Sequence, residues 1–358
     1  MAAFTTIDNP AIYFNSLLYT GNDTTARALT GLGFQPDFTW IKNRDASDEH
    51  ILSDSVRGAN KYVQTDSNAA QVTGTEIVQS FDADGFTIGD LGQINTNTEK
   101  FISWSWKAGT TTGIDTTGSS ITPNSYSFNQ DAGFSIIQYT GLDNAGDLCP
   151  HGLGTVPAAI FVKNLSGVWS WQNYMWRSKE NPTDTPAPGD DSAYWNYDFG
   201  LDQNVYYWND TDATAVNFSL GINGTGNDSG DEYVAYCWAE KQGFSKFGTF
   251  TGNGNADGTF VYLGFRPAWV MLKNVTGATN WLLYNNKVLG YNGPDFNFMF
   301  QPDTTAAENS SPDIDLLSNG FKARENNSDL NQSGKVIMYW AFAESPFVNS
   351  NGVPTNAR

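Results

Sequence analysis

The sequence predicts an all-β protein made of three tandem antiparallel β-sandwich domains of the jelly-roll type. Its 358 residues are rich in aromatic side chains (14%) and glycine (35 residues) and poor in charged ones (16%). One series of motifs occurs three times along the chain. Short segments of alternating polarity, bounded by Gly, Asn and Asp, are typical of strands and turns. No amphipathic pattern is long enough for a helix of three turns.

The repeat defines the first strands of each copy. An aromatic strand ends in a Thr-Gly pair, and the threonines of these pairs are offset by 120 and then 111 residues. A Gly-x-x-Pro motif follows, and after it an apolar strand that ends in Lys-Asn, with the lysines at Lys42, Lys163 and Lys273. Repeats of this length suit compact β-sandwich domains and are too long for a solenoid.

The repeat also divides the chain into domains. The assignments are an N-terminal arm at 1–10, copy one at 11–109, a Thr/Ser/Gly linker at 110–132, copy two at 133–242, copy three at 243–349 and a C-terminal tail at 350–358. No linker separates copies two and three, so we expect these two to pack rigidly together.

Turn and helix signals complete the prediction of elements. Asp84-Gly85 and Asn319-Gly320 predict type I′ hairpins, because such turns favour Asn or Asp before Gly. Asp82 and Asp84 resemble the start of a calcium loop, but the later ligands are missing, so we interpret them as part of a turn. A short helix could form at 67–70 or at 304–307.

Charge and composition exclude several functions. A net charge of −19 without a Lys/Arg cluster argues against nucleic-acid binding. No apolar stretch is long enough to span a membrane, and no secretory signal is visible at the N-terminus. The chain has two histidines and two cysteines, little material for a zinc site or a His-based triad. We expect no enzyme activity and no cofactor, with structural calcium left open at acidic loops such as 228–232.

The three copies act as internal controls for one another. Features common to all three are most simply explained by folding, and features of one copy point to function. The recurring lysines could form anion sites, or they could close strands with their heads in water, and we favour the second explanation. Cys149 and His151 could form a dyad, but their counterparts in the other copies differ, so we expect buried, inert thiols at Cys149 and Cys237.

Copy two has one feature of its own, an aromatic insertion after its Lys-Asn motif. The candidate binding residues are the carboxylates and rings of this insertion, namely Asp190, Asp191, Tyr194, Trp195, Tyr197 and Phe199. Rings beside carboxylates and amides suit a glycan-binding surface, since they stack on the C–H faces of sugar rings. They suit a protein–protein interface equally well. A small core beneath the loop is the third explanation.

The motifs resemble those of a known group of proteins. The segments YTGN, GLGFQPDFTWIKNRD, DSVRGANKY, SFDADGFTIG and WSWKAG, between Tyr19 and Gly109, resemble a domain common in virion proteins of tailed phages. Many of these phages infect marine bacteria, including cyanobacteria. AYCWAEKQGFSKFGTFTGNG, FVYLGFRPAWVMLKN and WAFAESPF match further copies, so the resemblance covers most of 11–349. Such proteins are described as tail-fibre-like or structural, and the resemblance implies no catalytic residues.

The resemblance implies a virion surface protein made in the host cytoplasm. We expect a tail fibre or adhesin that contacts glycans of the host envelope. The expected partners are other virion proteins, a host polysaccharide or envelope protein, and further copies of the chain, with a homotrimer favoured. One alternative is a capsid decoration or head-appendage protein without a receptor role. The other is a polysaccharide-degrading tail enzyme that uses carboxylates near the copy-two insertion.

Overall fold

The computed structural model describes residues 5–175, 191–288, 298–310 and 313–355. Antiparallel strands make up almost all of the regular structure, which confirms the all-β prediction. In each copy a large sheet packs against a smaller one in the manner of a β-sandwich.

Copy one is preceded by a 3-10 helix at Pro10–Ile12 and contains one short helix, α1 (Gly92–Asn95). Its strands are β1 (Phe14–Thr20), β2 (Arg27–Thr30), β3 (Phe38–Asn43), β4 (Ile51–Asp54), β5 (Lys61–Gln64), β6 (Val72–Thr73), β7 (Val78–Asp82), β8 (Gly85–Ile88) and β9 (Lys100–Trp106). The large sheet has the order β1-β9-β3-β4-β5-β6, and the small sheet has the order β2-β8-β7.

Copy two contains the second short helix, α2 (Val205–Trp208). Its strands are β10 (Ser125–Asn129), β11 (Phe134–Thr140), β12 (Asp147–Pro150), β13 (Ala159–Asn164), β14 (Gln172–Met175), β15 (Asp191–Ser192), β16 (Asp202–Gln203), β17 (Asn217–Leu220) and β18 (Glu232–Trp238). The large sheet has the order β10-β11-β18-β13-β14, and β12-β17 and β15-β16 form two small sheets. Strand β10 lies in the segment 110–132 that was predicted as a linker, and it forms an edge of the copy-two sheet.

Copy three repeats the plan of copy one. Its strands are β19 (Ser245–Thr251), β20 (Phe260–Tyr262), β21 (Phe265–Asn274), β22 (Leu282–Asn285), β23 (Phe298–Phe300), β24 (Asn309–Ser310), β25 (Ile314–Leu317), β26 (Gly320–Ala323) and β27 (Val336–Pro346). The large sheet has the order β19-β27-β21-β22-β23-β24, and the small sheet has the order β20-β26-β25.

Both predicted hairpins form, although the turn type differs from the prediction. Strands β7 and β8 meet at the pair Asp82–Gly85, so the turn residues are Ala83 and Asp84, and neither has a positive φ. Gly85 is needed for close approach, since a Cβ there would lie 1.9 Å from the carbonyl oxygen of Leu29. The hairpin of β25 and β26 places Gly320 in the same position, with a Cβ only 2.0 Å from the oxygen of Val261.

The prediction of short helices at 67–70 and 304–307 is wrong. Both segments are irregular, and the short α-helices lie at α1 and α2 instead. The backbone oxygens of Asn68 and Thr305 accept hydrogen bonds from lysines of other copies. These long-range bonds override a weak local preference for helix.

Strands in the middle of each large sheet are buried on both faces. In β3, Ile41 faces the small sheet and packs with Leu29 and Phe86, whereas Phe38 and Trp40 point to the opposite side. Strands β13 and β21 show the same division of side chains. Each copy therefore has an outer core of its own between its two sheets.

The opposite faces of the three large sheets pack together into one further core, which we call the central core. Rings from different copies are in direct contact across it: the ring centroids of Phe38 and Tyr236 lie 5.0 Å apart and those of Trp106 and Trp269 lie 5.6 Å apart. Its aromatic members include Phe38, Trp40, Trp104, Trp106, Phe161, Trp171, Trp195, Tyr236, Trp238, Trp269, Trp281, Trp340 and Phe342. The three copies thus share a single aromatic core.

Candidate functional site

The recurring lysines are structural, and their ammonium groups do not reach water. Lys42, Lys163 and Lys273 are fully buried beside the central core. Each donates to at least one carbonyl of its own copy and to one carbonyl of another copy. Lys42 donates to Asp48 of its own copy (2.7 Å) and to Thr305 of copy three (3.0 Å). Lys163 donates to Trp169 of its own copy (2.6 Å) and to Asn68 of copy one (3.1 Å). Lys273 donates to Thr279 of its own copy and to Asp198 of copy two (2.9 Å). The lysines therefore connect the copies in a closed ring, and the anion-site explanation has no support.

A second recurring residue accompanies each lysine. Asp66 accepts a hydrogen bond from the backbone N–H of His50 at 3.1 Å. Asp303 accepts one from Trp281 at 3.1 Å, and in copy two the acceptor is Asn196, which bonds the N–H of Trp171 at 3.0 Å. Copy two therefore lacks the carboxylate that the other two copies place near their lysine.

The Cys–His pair is inert, as predicted. Cys149 and Cys237 are free and buried, and burial raises the pKa of the Cys149 thiol far above its ordinary value. Burial lowers the pKa of His151 to about 4, and both of its ring nitrogens are used in hydrogen bonds to the backbone. Neither group is available as a nucleophile or base at neutral pH.

The structure separates the six predicted binding residues. Tyr197 and Phe199 are 38% and 54% exposed, and their rings stack with centroids 5.3 Å apart. Tyr194 is half-buried next to them. Asp190 and the side chain of Asp191 lie outside the described residues, as does most of the insertion, 176–190.

Trp195 is not a surface residue, so its predicted binding role is wrong. The side chain is 1% exposed and lies in the central core. Its ring centroid lies 4.8 Å from that of Trp40 in copy one and 4.6 Å from that of Phe161 in copy two. Trp195 lies in the turn that follows Ala193, where its ring enters the central core while that of Tyr194 packs against the outer core of copy two.

Tyr194, Tyr197 and Phe199 line an open groove of about 680 Å³ on copy two. The groove lies within the usual size range of ligand sites. The other lining residues come from three loops, from α2 and from copy one, and they are Asn68, Val168, Trp169, Ser170, Gly200, Leu201, Asp202, Tyr207, Asn223 and Thr225. We call this feature the copy-two groove.

Two walls of the groove are aromatic and exposed. Tyr197 and Phe199 form one wall, and Trp169, which is 39% exposed, forms the other. Gly224 makes room for this tryptophan, because a Cβ at that position would lie 2.5 Å from its ring.

A polar network lies between the walls. Asp202 accepts hydrogen bonds from the hydroxyls of Tyr194 at 3.0 Å and Tyr207 at 2.7 Å, and the two hydroxyls also contact each other. Burial raises the pKa of Tyr194 to about 12 and that of Tyr207 further. Both phenols are therefore neutral at physiological pH, and they hold the carboxylate in a fixed position.

All three copies hold the groove in place. Lys163 of copy two binds the carbonyls of Trp169 and Asn68, two of the lining residues. The backbone N–H of Leu201 donates to the carbonyl of Val275 in copy three at 3.1 Å. Thr279 of copy three donates to the carbonyl of Asp198 at 2.7 Å. The site is thus pre-formed by the packing of the copies.

Sequence reasoning missed four of the polar and aromatic lining residues, Asn68, Trp169, Asp202 and Tyr207. Trp169 and Asp202 could have been noticed, since copy two alone combines them with the other rings. Asn68 could not, because it belongs to copy one and approaches only through the fold.

Comparison with known protein families places the chain in one of them. The sequence profile of a family described as a domain of unknown function, DUF7483, matches residues 9–346. The chain belongs to this family. The comparisons with curated proteins and with solved structures found no match. The single DUF7483 match extends across all three copies and so includes every described lining residue of the groove.

Two features are absent from the described part of the chain. No helix among the described residues is long and apolar enough to cross a membrane. Within the same part of the chain, no group of three or more His, Cys, Asp and Glu side chains is placed to hold a metal ion.

Proposed function

We propose that the protein is a surface protein of a tailed-phage virion, a tail fibre or adhesin, that binds host-envelope glycans in the copy-two groove. The observation that carries this proposal is the groove itself, in which exposed rings stand beside a fixed carboxylate. The resemblance of the repeats to those of virion proteins supports the proposal that the protein belongs to a phage particle.

The composition of the groove fits a sugar ring. The stacked pair Tyr197 and Phe199 and the ring of Trp169 offer apolar surface to the C–H faces of a pyranose. The carboxylate of Asp202 offers an acceptor and the side-chain amide of Asn223 offers donors to its hydroxyl groups, whereas the hydroxyl of Thr225 is already bonded to Gln172 and Asn223. A ligand that is apolar on its faces and polar at its edges matches both sets.

The shape of the groove favours a glycan over a protein partner. Small-ligand sites are concave, whereas typical protein interfaces bury about 800 Å² on each partner. The exposed rings of copy two line a cavity of about 680 Å³. A protein partner would need a projecting segment to fill it.

The groove supports binding better than hydrolysis. Glycosidases with carboxylate pairs place two acids on either side of the bond that breaks. Asp202 is the single carboxylate among the described lining residues, and two tyrosine hydroxyls bind it. We therefore rank the adhesin above the polysaccharide-degrading enzyme.

The first test is the double substitution Tyr197→Ala/Phe199→Ala. We expect binding of the recombinant protein to host cells and to purified envelope polysaccharide to weaken at least about tenfold, or about 1.4 kcal/mol. The control is Phe260→Ala, which removes an exposed ring of copy three that does not line the groove. Binding equal to that of the parent protein in the double variant would contradict the proposal.

A second measurement places the protein on the particle. Gold-labelled antibody or cryo-electron microscopy of virions should locate it on the tail. Density on the capsid shell would support the decoration or head-appendage alternative. The same maps would show whether the predicted homotrimer forms.

A further inference from the structure

The described residues of the copy-two groove carry negative charge without a compensating cation. Among its described lining residues, Asp202 is the single charged side chain, and no Lys, Arg or His lines the site. An uncharged sugar hydroxyl can donate to Asp202. An anionic group would approach a carboxylate of the same sign with nothing to pair with.

The rim adds further negative charge. Asp228 lies beside Trp169, since a Cβ on Gly224 would lie 2.5 Å both from the Asp228 carboxylate and from the Trp169 ring. Burial, together with the neighbouring charges of Asp231 and Asp143, raises the pKa of Asp228. A second carboxylate therefore stands beside Trp169, on one wall of the groove.

The nearest buried cation cannot offset this charge by binding a ligand. Lys163 lies below the loop of Trp169, but its ammonium donates to the carbonyls of Trp169 and Asn68. The side chain is fully buried. A ligand in the groove would therefore meet carboxylates, amides, hydroxyls and rings, and no free ammonium or guanidinium of the described lining residues.

We infer that the copy-two groove selects uncharged glycans and discriminates against glycans that carry uronate, sulfate or phosphate groups. This inference rests on the proposed function and specifies the class of ligand. The rings provide affinity for the sugar faces, and the acidic lining and rim provide the discrimination.

The test is a set of titration-calorimetry measurements with defined oligosaccharides. The neutral probes are tetrasaccharides of glucose, mannose, galactose and N-acetylglucosamine, and the anionic probes are tetrasaccharides of galacturonate and mannuronate. We expect at least one neutral probe to bind at least tenfold more tightly than either anionic probe at 50 mM salt. The difference in affinity between neutral and anionic probes should become smaller at 500 mM salt, because salt screens repulsion between exposed charges.

Asp202→Asn tests the cause of the discrimination. The variant should bind the neutral probe more weakly, and the ratio of the dissociation constants of the anionic and neutral probes should become smaller. Asp90→Asn, an exposed acid of copy one outside the groove, makes the same change in net charge and should leave the ratio unchanged.

The outcomes separate this inference from the proposed function. Anionic probes that bind as tightly as neutral ones, and that lose affinity in Tyr197→Ala/Phe199→Ala, would overturn the selectivity and keep the glycan site. Failure of all the probes and of envelope polysaccharide to bind would overturn both.

Discussion

The three buried lysines share a position but differ in one neighbour. Burial lowers the pKa of Lys42 and of Lys273 to about 8, and the charges of Asp66 and Asp303 oppose the change. Asn196 occupies the corresponding place in copy two. Burial lowers the pKa of Lys163 to about 7, with no opposing carboxylate. The lysine that supports the groove is therefore the one that loses its proton most easily.

Stability should rise with pH above neutrality because of these lysines. Their folded-state pKa values of about 7 to 8 lie below the ordinary 10.5, so between these limits the unfolded chain binds more protons. The free energy of unfolding then increases with pH, by up to about 1.4 kcal/mol per pH unit for each lysine. We expect Tm to be about 5 °C higher at pH 9 than at pH 7 in scanning calorimetry. Above pH 10, buried tyrosines such as Tyr236, whose pKa is raised by burial, reverse the trend.

Asn196→Asp provides the matched variant for this prediction. The new carboxylate should raise the pKa of Lys163 toward that of Lys42, so less of the stability gain remains between pH 7 and 8. A Tm that falls from pH 7 to 9 in the parent protein would show that the buried lysines are not deprotonated in the folded state.

At the residue scale, the sequence revealed which side chains recur but not which groups they contact. The lysines were recognised from their spacing, yet the acceptors Asn68, Asp198 and Thr305 belong to other copies. Trp195 stands out in the sequence as part of the copy-two insertion, but the residues around it in the chain are those expected around an exposed ring. Only the packing of three sheets decides that it is buried.

At the element scale, copy two differs from the others in the small sheet over its outer core. This sheet has three strands in copies one and three, whereas the described residues of copy two form two strands there, β12 and β17, with the helix α2 in contact with β17. Trp208 of this helix fills the outer core of copy two. The groove opens beside α2, so this local change of element creates the candidate site.

Spacing along the sequence could not show this change. By sequence pattern alone, Tyr62, Tyr206 and Phe298 occupy comparable places in the strand that follows each Lys-Asn motif. The pairing instead makes Ala193 the counterpart of Val63 and Phe300, since each opposes the same position of the preceding strand. Strand register depends on partners distant in the sequence, and spacing alone does not determine it.

The loops that form the groove should tolerate little added volume at Gly224. Gly224→Ala places a methyl group 2.5 Å from the present position of the Trp169 ring, so the ring must move. We expect glycan binding to weaken about tenfold, with Tm changed by less than about 4 °C, since the ring is exposed. Microcalorimetry and thermal melts of the same samples measure the two effects.

Gly277→Ala is the control for this substitution. A Cβ there lies 3.8 Å from its nearest neighbour, an ordinary contact, and Gly277 does not line the groove. Unchanged glycan affinity in Gly224→Ala would mean that Trp169 is not part of the binding wall.

At the scale of the whole molecule, the three copies depend on one another. The sequence predicted three domains in tandem, and it did so from real repeats. It did not predict that the large sheets pack face to face. A strand buried on both faces is apolar along its length, and this pattern does not reveal which element covers each face. A buried network also crosses between copies: Tyr236 of copy two donates to Asp54 at 2.6 Å, and Asp54 is paired with Arg57 of copy one.

We therefore expect the protein to unfold in a single transition. Three independent domains would give a calorimetric enthalpy well above the van't Hoff enthalpy, whereas a shared core makes the two nearly equal. Trp195→Ala removes a ring that contacts copies one and two and should cost about 3–5 kcal/mol. This loss of stability should lower the midpoint temperature of the single transition, because no copy keeps an intact central core. If the variant instead splits the transition and leaves part of it at the parent Tm, the copies fold separately and the central core is not what unites them.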